Sequence, residues 1–182
     1  MKQGCPESIC NQLQRPSTSV ASGIGWYNGY SPDERNDKFR EMKKRIASGE
    51  LSAPSRPCAL CGDPDSDVEY HDEDYGIPYR WSEPSTYVLC RHCHRQKLHL
   101  RFARPVIWQA FLAHVRRGGY ARDLKAPHIK KEFVYCCKVI VHGQPFSLHQ
   151  LRPYNQSSGE EWFSRLSLNQ MSLRDRAARP GP

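Results

Sequence analysis

Cys58-Ala59-Leu60-Cys61-Gly62 and Leu89-Cys90-Arg91-His92-Cys93-His94, with 28 residues between Cys61 and Cys90, decide how this 182-residue chain folds. In a CxxC pair a tight turn points both sulfurs the same way, and two such pairs complete a tetrahedral Zn²⁺ site. Gly62 suits the knuckle turn that closes the first pair. Four protein sulfurs fill the coordination sphere, so zinc held by Cys58, Cys61, Cys90 and Cys93 is predicted to be structural. The other four cysteines carry a weaker signal. Cys5 and Cys10 sit in a polar tail, and Cys136 and Cys137 adjoin in a predicted strand, which sends them to opposite faces as ordinary thiols.

Composition explains why such a staple is needed. Only 38% of residues are hydrophobic, so a large core is excluded and a metal is the natural substitute. No apolar run approaches the roughly 18 residues of a membrane span. Met1 to Arg15 lacks the apolar stretch of a secretory signal. The expected location is therefore a reducing cytoplasm, where eight cysteines favour metal over disulfides. The formal net charge of +8 hides a segregation: residues 58–90 carry −7, and residues 91–131 carry +10. A basic stripe suits a polyphosphate partner, and an acidic stretch beside it suits a cation.

Five segments follow. Residues 1–25, rich in Ser, Gln, Gly and Pro, are predicted to be a disordered tail. Residues 26–57 hold a capped helix and a linker. Ser31 with Glu34 forms a capping-box pattern and Pro32 takes the first helical position, so a helix is expected over 32–47 with Phe39, Met42 and Ile46 on its apolar face. Residues 58–104 form the zinc-bound core, a hairpin followed by a helix from about Cys90 to Phe102. Tyr79, Trp81 and Tyr87 are expected to pack in it. Residues 105–153 add a helix near 105–117 and a strand over 132–142, EFVYCCKVIVH, which is rich in Val, Ile, Phe and Tyr. Residues 154–182 are predicted to be a polar tail with a short helix near 160–168. The fold class is α+β, a small zinc-stapled core with flanking helices and a C-terminal strand segment.

Between and after the cysteine pairs lies a second constellation. Tyr70-His71-Asp72-Glu73-Asp74-Tyr75 is on one side; His94 and His99 are on the other. Zinc ligation would hold the hairpin against the start of the helix and bring His71 and Asp72 towards His94. Imidazole and carboxylate together suit a second divalent ion with open positions, which can stabilise a leaving phosphodiester oxygen while a His or Asp activates water.

The order CxxCG, then YHDEDY, then LCRHCH with a later His resembles the HNH endonucleases. These have a ββα-metal core, here in the treble-clef form with a four-cysteine zinc site, common in phages and mobile elements. The resemblance covers about residues 56–102, and the WYNGYSPDER segment and Arg56-Pro57-Cys58 are similar to phage-type members. It implies metal-dependent hydrolysis of DNA phosphodiesters, with Mg²⁺ or another divalent ion held by His71, His94 and His99, and with His71, Asp72 and His94 catalytic. In one frame His71 is a ligand and Asp72 the base. In the other His71 is the base and Tyr70 stands at the ligand position. The middle Asn of the family motif is missing, with Ser85 or Thr86 in its place. His99 lies one residue beyond the common spacing, about 140° from His94 on a straight α-helix, so it joins the site only if the helix bends or ends early.

The family's geometry would place the helix and its flanks near duplex DNA, with Arg91, Arg95, Lys97, Arg101, Arg104, Arg116 and Arg117 on phosphates, positioning the chain without reading sequence. The opposing expectation is a helix whose Arg stems cover apolar residues. The leading reading is an HNH-type endonuclease in a bacterial or phage-infected cell. The alternative is a catalytically degenerate zinc module that binds DNA or a protein partner, such as a phage-encoded regulator or inhibitor of host defence.

Overall fold

In a computed structural model, residues 25–155 and 161–172 are described. The expected tail over 1–25 therefore lies almost wholly outside the described residues, as do 156–160 and 173–182 of the expected C-terminal tail. The first helix, α1 (Pro32–Ser48), follows its sequence signals closely. The Glu34 amide donates to Ser31 Oγ, the Ser31 amide donates back to Glu34 Oε2, and Gly49 ends the helix in the left-handed region at φ 78°. Its inward face differs from the expected one. Met42 is buried, but Phe39 is 47% exposed and Lys38 takes its place in the interior. Lys38 is drawn in by the Asp72 carboxylate 2.7 Å away and by the Asp74 carbonyl, partners that apolar periodicity cannot reveal.

Strands β1 (Val68–Asp72) and β2 (Thr86–Cys90) pair antiparallel, with Val68 opposite Cys90, Tyr70 opposite Val88 and Asp72 opposite Thr86. The first cysteine knuckle is tied to this hairpin, because the Ala59 amide donates to the Val88 carbonyl at 2.8 Å. Gly62 (φ 71°) closes the knuckle, and a Cβ there would sit 2.7 Å from the Asn155 carbonyl oxygen. After β2 the chain enters a π-helix (His92–Leu98), then a single turn, α2 (Leu100–Ala103). Helix α3 (Pro105–Arg116) buries Trp108, Phe111, Leu112 and Val115. The α+β class is borne out: among the described residues, four α-helices accompany a two-stranded antiparallel sheet and a cysteine cluster.

Two expectations are corrected. Residues 132–142 are not a strand; 132–141 belong to helix α4 (Pro127–Val141) and His142 caps it. Burial of Ile129, Phe133, Cys136 and Cys137 follows helical spacing, and packing on α3 overrides the strand preference of the Val- and Ile-rich sequence. Cys136 and Cys137 are therefore both buried, not divided between two faces. The polar tail after residue 153 is also not all solvated. A 3₁₀ turn (Trp162–Arg165) buries Trp162 and Phe163. The Trp162 ring stacks on Tyr87 at 3.6 Å, and its indole N–H donates to the Ala59 carbonyl. Tyr87 is in the core as expected, while Tyr79 and Trp81 pack on each other, half-buried. No helix among the described residues is long and apolar enough to cross a membrane.

Candidate metal centres

Cys58, Cys61, Cys90 and Cys93 are all buried, with their sulfurs within 4.8 Å of one another. Cys61 and Cys90 sulfurs are 4.0 Å apart, far beyond a disulfide and close to the ~3.8 Å that Zn–S bonds of about 2.3 Å give across a tetrahedron. The Cys90 amide donates to Cys58 Sγ and the Cys93 amide to Cys90 Sγ, bonds that favour thiolates. Cys58 and its neighbours push the Cys61 thiol well above its usual range, and burial does the same to Cys93. Four sulfurs so placed call for a cation, and the cluster could hold zinc.

His71, His94 and His99 form a second cluster, each offering a ligand atom within 4.8 Å of the others. Ring centroids lie 4.8 Å apart for His71–His94, 5.6 Å for His94–His99 and 6.0 Å for His71–His99. The π-helix makes this possible. Its i→i+5 winding brings a residue five positions on roughly one turn above the first, so His99 returns to the face of His94.

Carboxylates behind the rings fix their tautomers. Glu73 Oε1 lies 2.7 Å from His71 Nε2 and Glu69 Oε1 lies 2.9 Å from His94 Nδ1. A carboxylate only accepts, so each of those nitrogens carries a proton, and His71 Nδ1 and His94 Nε2 are the ring atoms left to face a ligand. His71 Nδ1 is buried and has no hydrogen-bond partner. Burial, with His71 nearby, takes His94 down to about 4 and His99 down to about 3, so both rings are neutral at pH 7. Burial works to raise the Glu73 carboxyl, but His71, Arg101 and Tyr27 outweigh it and hold it at about 2. Asn28 and Arg101 each donate to Glu73 Oε2 at 2.7 Å. The Tyr27–Tyr30 turn thus serves to brace Glu73, and Glu73 braces His71.

A buried, unpartnered ring nitrogen beside two neutral imidazoles fits a divalent ion. Three nitrogens suit Zn²⁺, Ni²⁺ or Fe²⁺, whereas Mg²⁺ prefers oxygen, so the expectation of Mg²⁺ does not fit the donor set. Asp72 stands outside this cluster. Successive strand residues face opposite ways, and Asp72 points to α1, where Lys38 and Thr86 hold it. Tyr70 shares that face, pointing away from the histidine cluster, and donates to the Ser52 carbonyl. Glu69, Glu73, Tyr27 and Asn28 went unrecognised in the sequence. The only signal was spacing: Glu69 and Glu73 flank His71 at two residues on either side, on its own face.

The basic stripe divides. Arg101 is 1% exposed and bonded to Tyr27 and Glu73; Arg117 is buried against Glu132 and His114. Both are taken up within the fold, Arg101 by the buried Glu73 and Arg117 by Glu132 at its edge. Arg95 grips Glu69, Arg116 grips Glu161, and Lys97 lies over the Phe111 and Phe133 rings. Arg91 is exposed and Arg104 is half-buried.

Comparison of the chain with protein-family models, curated proteins and solved structures gave no match. Geometry alone therefore defines the class: a small α+β protein in which a four-cysteine cluster that could hold zinc adjoins a three-histidine cluster.

Proposed function

We propose that the protein is a metal-dependent endonuclease of HNH type, hydrolysing DNA phosphodiesters in the reducing cytoplasm of a bacterial or phage-infected cell. The observation that carries this reading is the buried, unpartnered Nδ1 of His71, facing two neutral imidazoles beside the cysteine knuckles. Zinc in the four cysteines fixes β1 against the π-helix, and His71, His94 and His99 hold the second ion. Such an ion supplies Lewis-acid stabilisation of the charge that builds on the phosphodiester and acidifies the attacking water. Glu73 and Glu69 keep the lone pairs aimed inward, and Arg91 and Arg104 position the duplex.

A second reading, a zinc module that binds DNA or protein without cutting, draws on one observation: Asp72, the expected base, is engaged by Lys38. Supercoiled plasmid separates the two. Nicking should appear with Zn²⁺, Ni²⁺ or Mn²⁺ in preference to Mg²⁺. His94→Ala should lower the rate at least about 100-fold while cysteine-bound zinc stays at wild-type stoichiometry. Zinc-loaded protein that binds duplex but never cuts with any divalent ion sinks the nuclease reading.

A further inference from the structure

An open depression of about 340 Å³ lies between α1 and β1, with His94 the only member of the histidine cluster on its wall. Its α1 side carries Arg35, Phe39 and Lys43, at helical spacing on one face. The acids that border it are engaged: Glu69 by His94 and Arg95, Asp72 by Lys38. The depression is thus cationic.

Arg35 is prepared for an anion. Its guanidinium lies 5.2 Å from the centre of the Tyr27 ring and 5.4 Å from that of Tyr75, and one end donates to the Gly25 carbonyl. Its buried Nε has no hydrogen-bond partner and Tyr75 is hydrogen-bonded to the guanidinium, so the planar group is held by neutral groups and by no carboxylate among the described residues. Tyr27 in turn lies 5.2 Å from His99, so Arg35 is one ring away from the metal cluster. One turn along α1, Phe39 exposes nearly half its surface on a helix otherwise rich in charge, and Lys43 sits 4.4 Å from its ring centre. A fixed guanidinium, a second cation and an exposed aromatic face are the elements of a nucleotide subsite, a phosphate clamp beside a stacking platform.

We propose that this depression binds the nucleotide adjoining the scissile bond, with Arg35 and Lys43 on its phosphate and Phe39 against its base. The proposal rests on the nuclease reading but is tested apart from cleavage. The full-length, zinc-loaded protein is titrated with deoxythymidine 3′,5′-bisphosphate and followed by amide NMR. Saturable shifts are expected within residues 35–43, 69–75 and 94. Phe39→Ala, a surface change that leaves the fold intact, should weaken binding roughly 5-fold or more. Arg35→Gln should weaken it roughly 10-fold or more, and Arg35→Lys should not restore it, because an ammonium lacks the planar fork. Shifts confined to other surfaces, or affinity untouched by both Phe39→Ala and Arg35→Gln, overturn the subsite. Inorganic phosphate binding as tightly as the nucleotide overturns the stacking role of Phe39. A protein that binds the bisphosphate here but never cuts keeps the subsite and loses the nuclease reading. One that cuts with a KM indifferent to Phe39→Ala does the reverse.

Discussion

Lys38 carries a charge into the interior with no exposed surface, and Asp72 makes that tolerable. Their 2.7 Å contact is completed by Thr86 Oγ1 and the Asp74 carbonyl, so three acceptors surround the ammonium. Lys38→Met should destabilise the protein by about 3–5 kcal/mol in urea unfolding, since it strands a buried carboxylate. Adding Asp72→Asn should recover much of the loss, which a merely apolar packing role for Lys38 would not allow. His114 shows the opposite solution, a buried ring kept neutral. Burial lowers its pKa below the usual 6.5, and Arg117 adds repulsion against the opposing bond to the Tyr120 carbonyl. The unfolded chain therefore takes the proton first as pH falls. The stability contributed by neutral His114 is complete above pH 6.5 and is lost as the pH drops from there towards its folded value. In denaturant titrations from pH 8 to 5, His114→Gln should show a shallower fall over that window than wild type.

At the scale of elements, the π-helix is the feature on which the histidine cluster depends. Wound as an α-helix, the five-residue interval from His94 to His99 would separate their rings by about 140°; the wider winding reunites them. Removing exposed Gln96 should allow ordinary α winding. The second histidine then stands four residues on, about 40° from His94, and Ni²⁺ or Co²⁺ affinity measured by calorimetry should change less than ~10-fold. Inserting Ala after Gln96 should abolish that binding while cysteine-bound zinc persists. Equal losses in both variants would mean that the winding does not govern the cluster. Helix α4 shows the same dependence on context. Its Val, Ile, Phe and Tyr content favours a strand in isolation, but Pro127 starts a helix and α3 offers a face that only helical spacing can cover.

For the whole molecule, the cysteine cluster is where distant segments meet. The first knuckle is bonded to β2 through Ala59, and the Ala59 carbonyl accepts the Trp162 indole N–H from more than a hundred residues away. Glu161, held by Arg116, fastens the same C-terminal segment to α3. Stripping zinc with a strong chelator should therefore lower Tm sharply and change Trp162 fluorescence, and zinc added back should restore both. A Tm that does not respond to chelation would count against zinc in the four cysteines.

What the sequence determined by itself was local. Each CxxC pair, the knuckle at Gly62 and the Ser31–Glu34 cap are written within a few residues, and turns and caps act at that range. Only the tertiary structure decided the rest. It sent Asp72 to Lys38 and Glu73 to Arg101, turned arginines of the basic stripe inward, made a strand-like segment helical and returned Trp162 to the core. The physical reason is common to all of these. A buried charge or an aromatic ring takes its place from partners far along the chain, and its own neighbours in sequence do not name them.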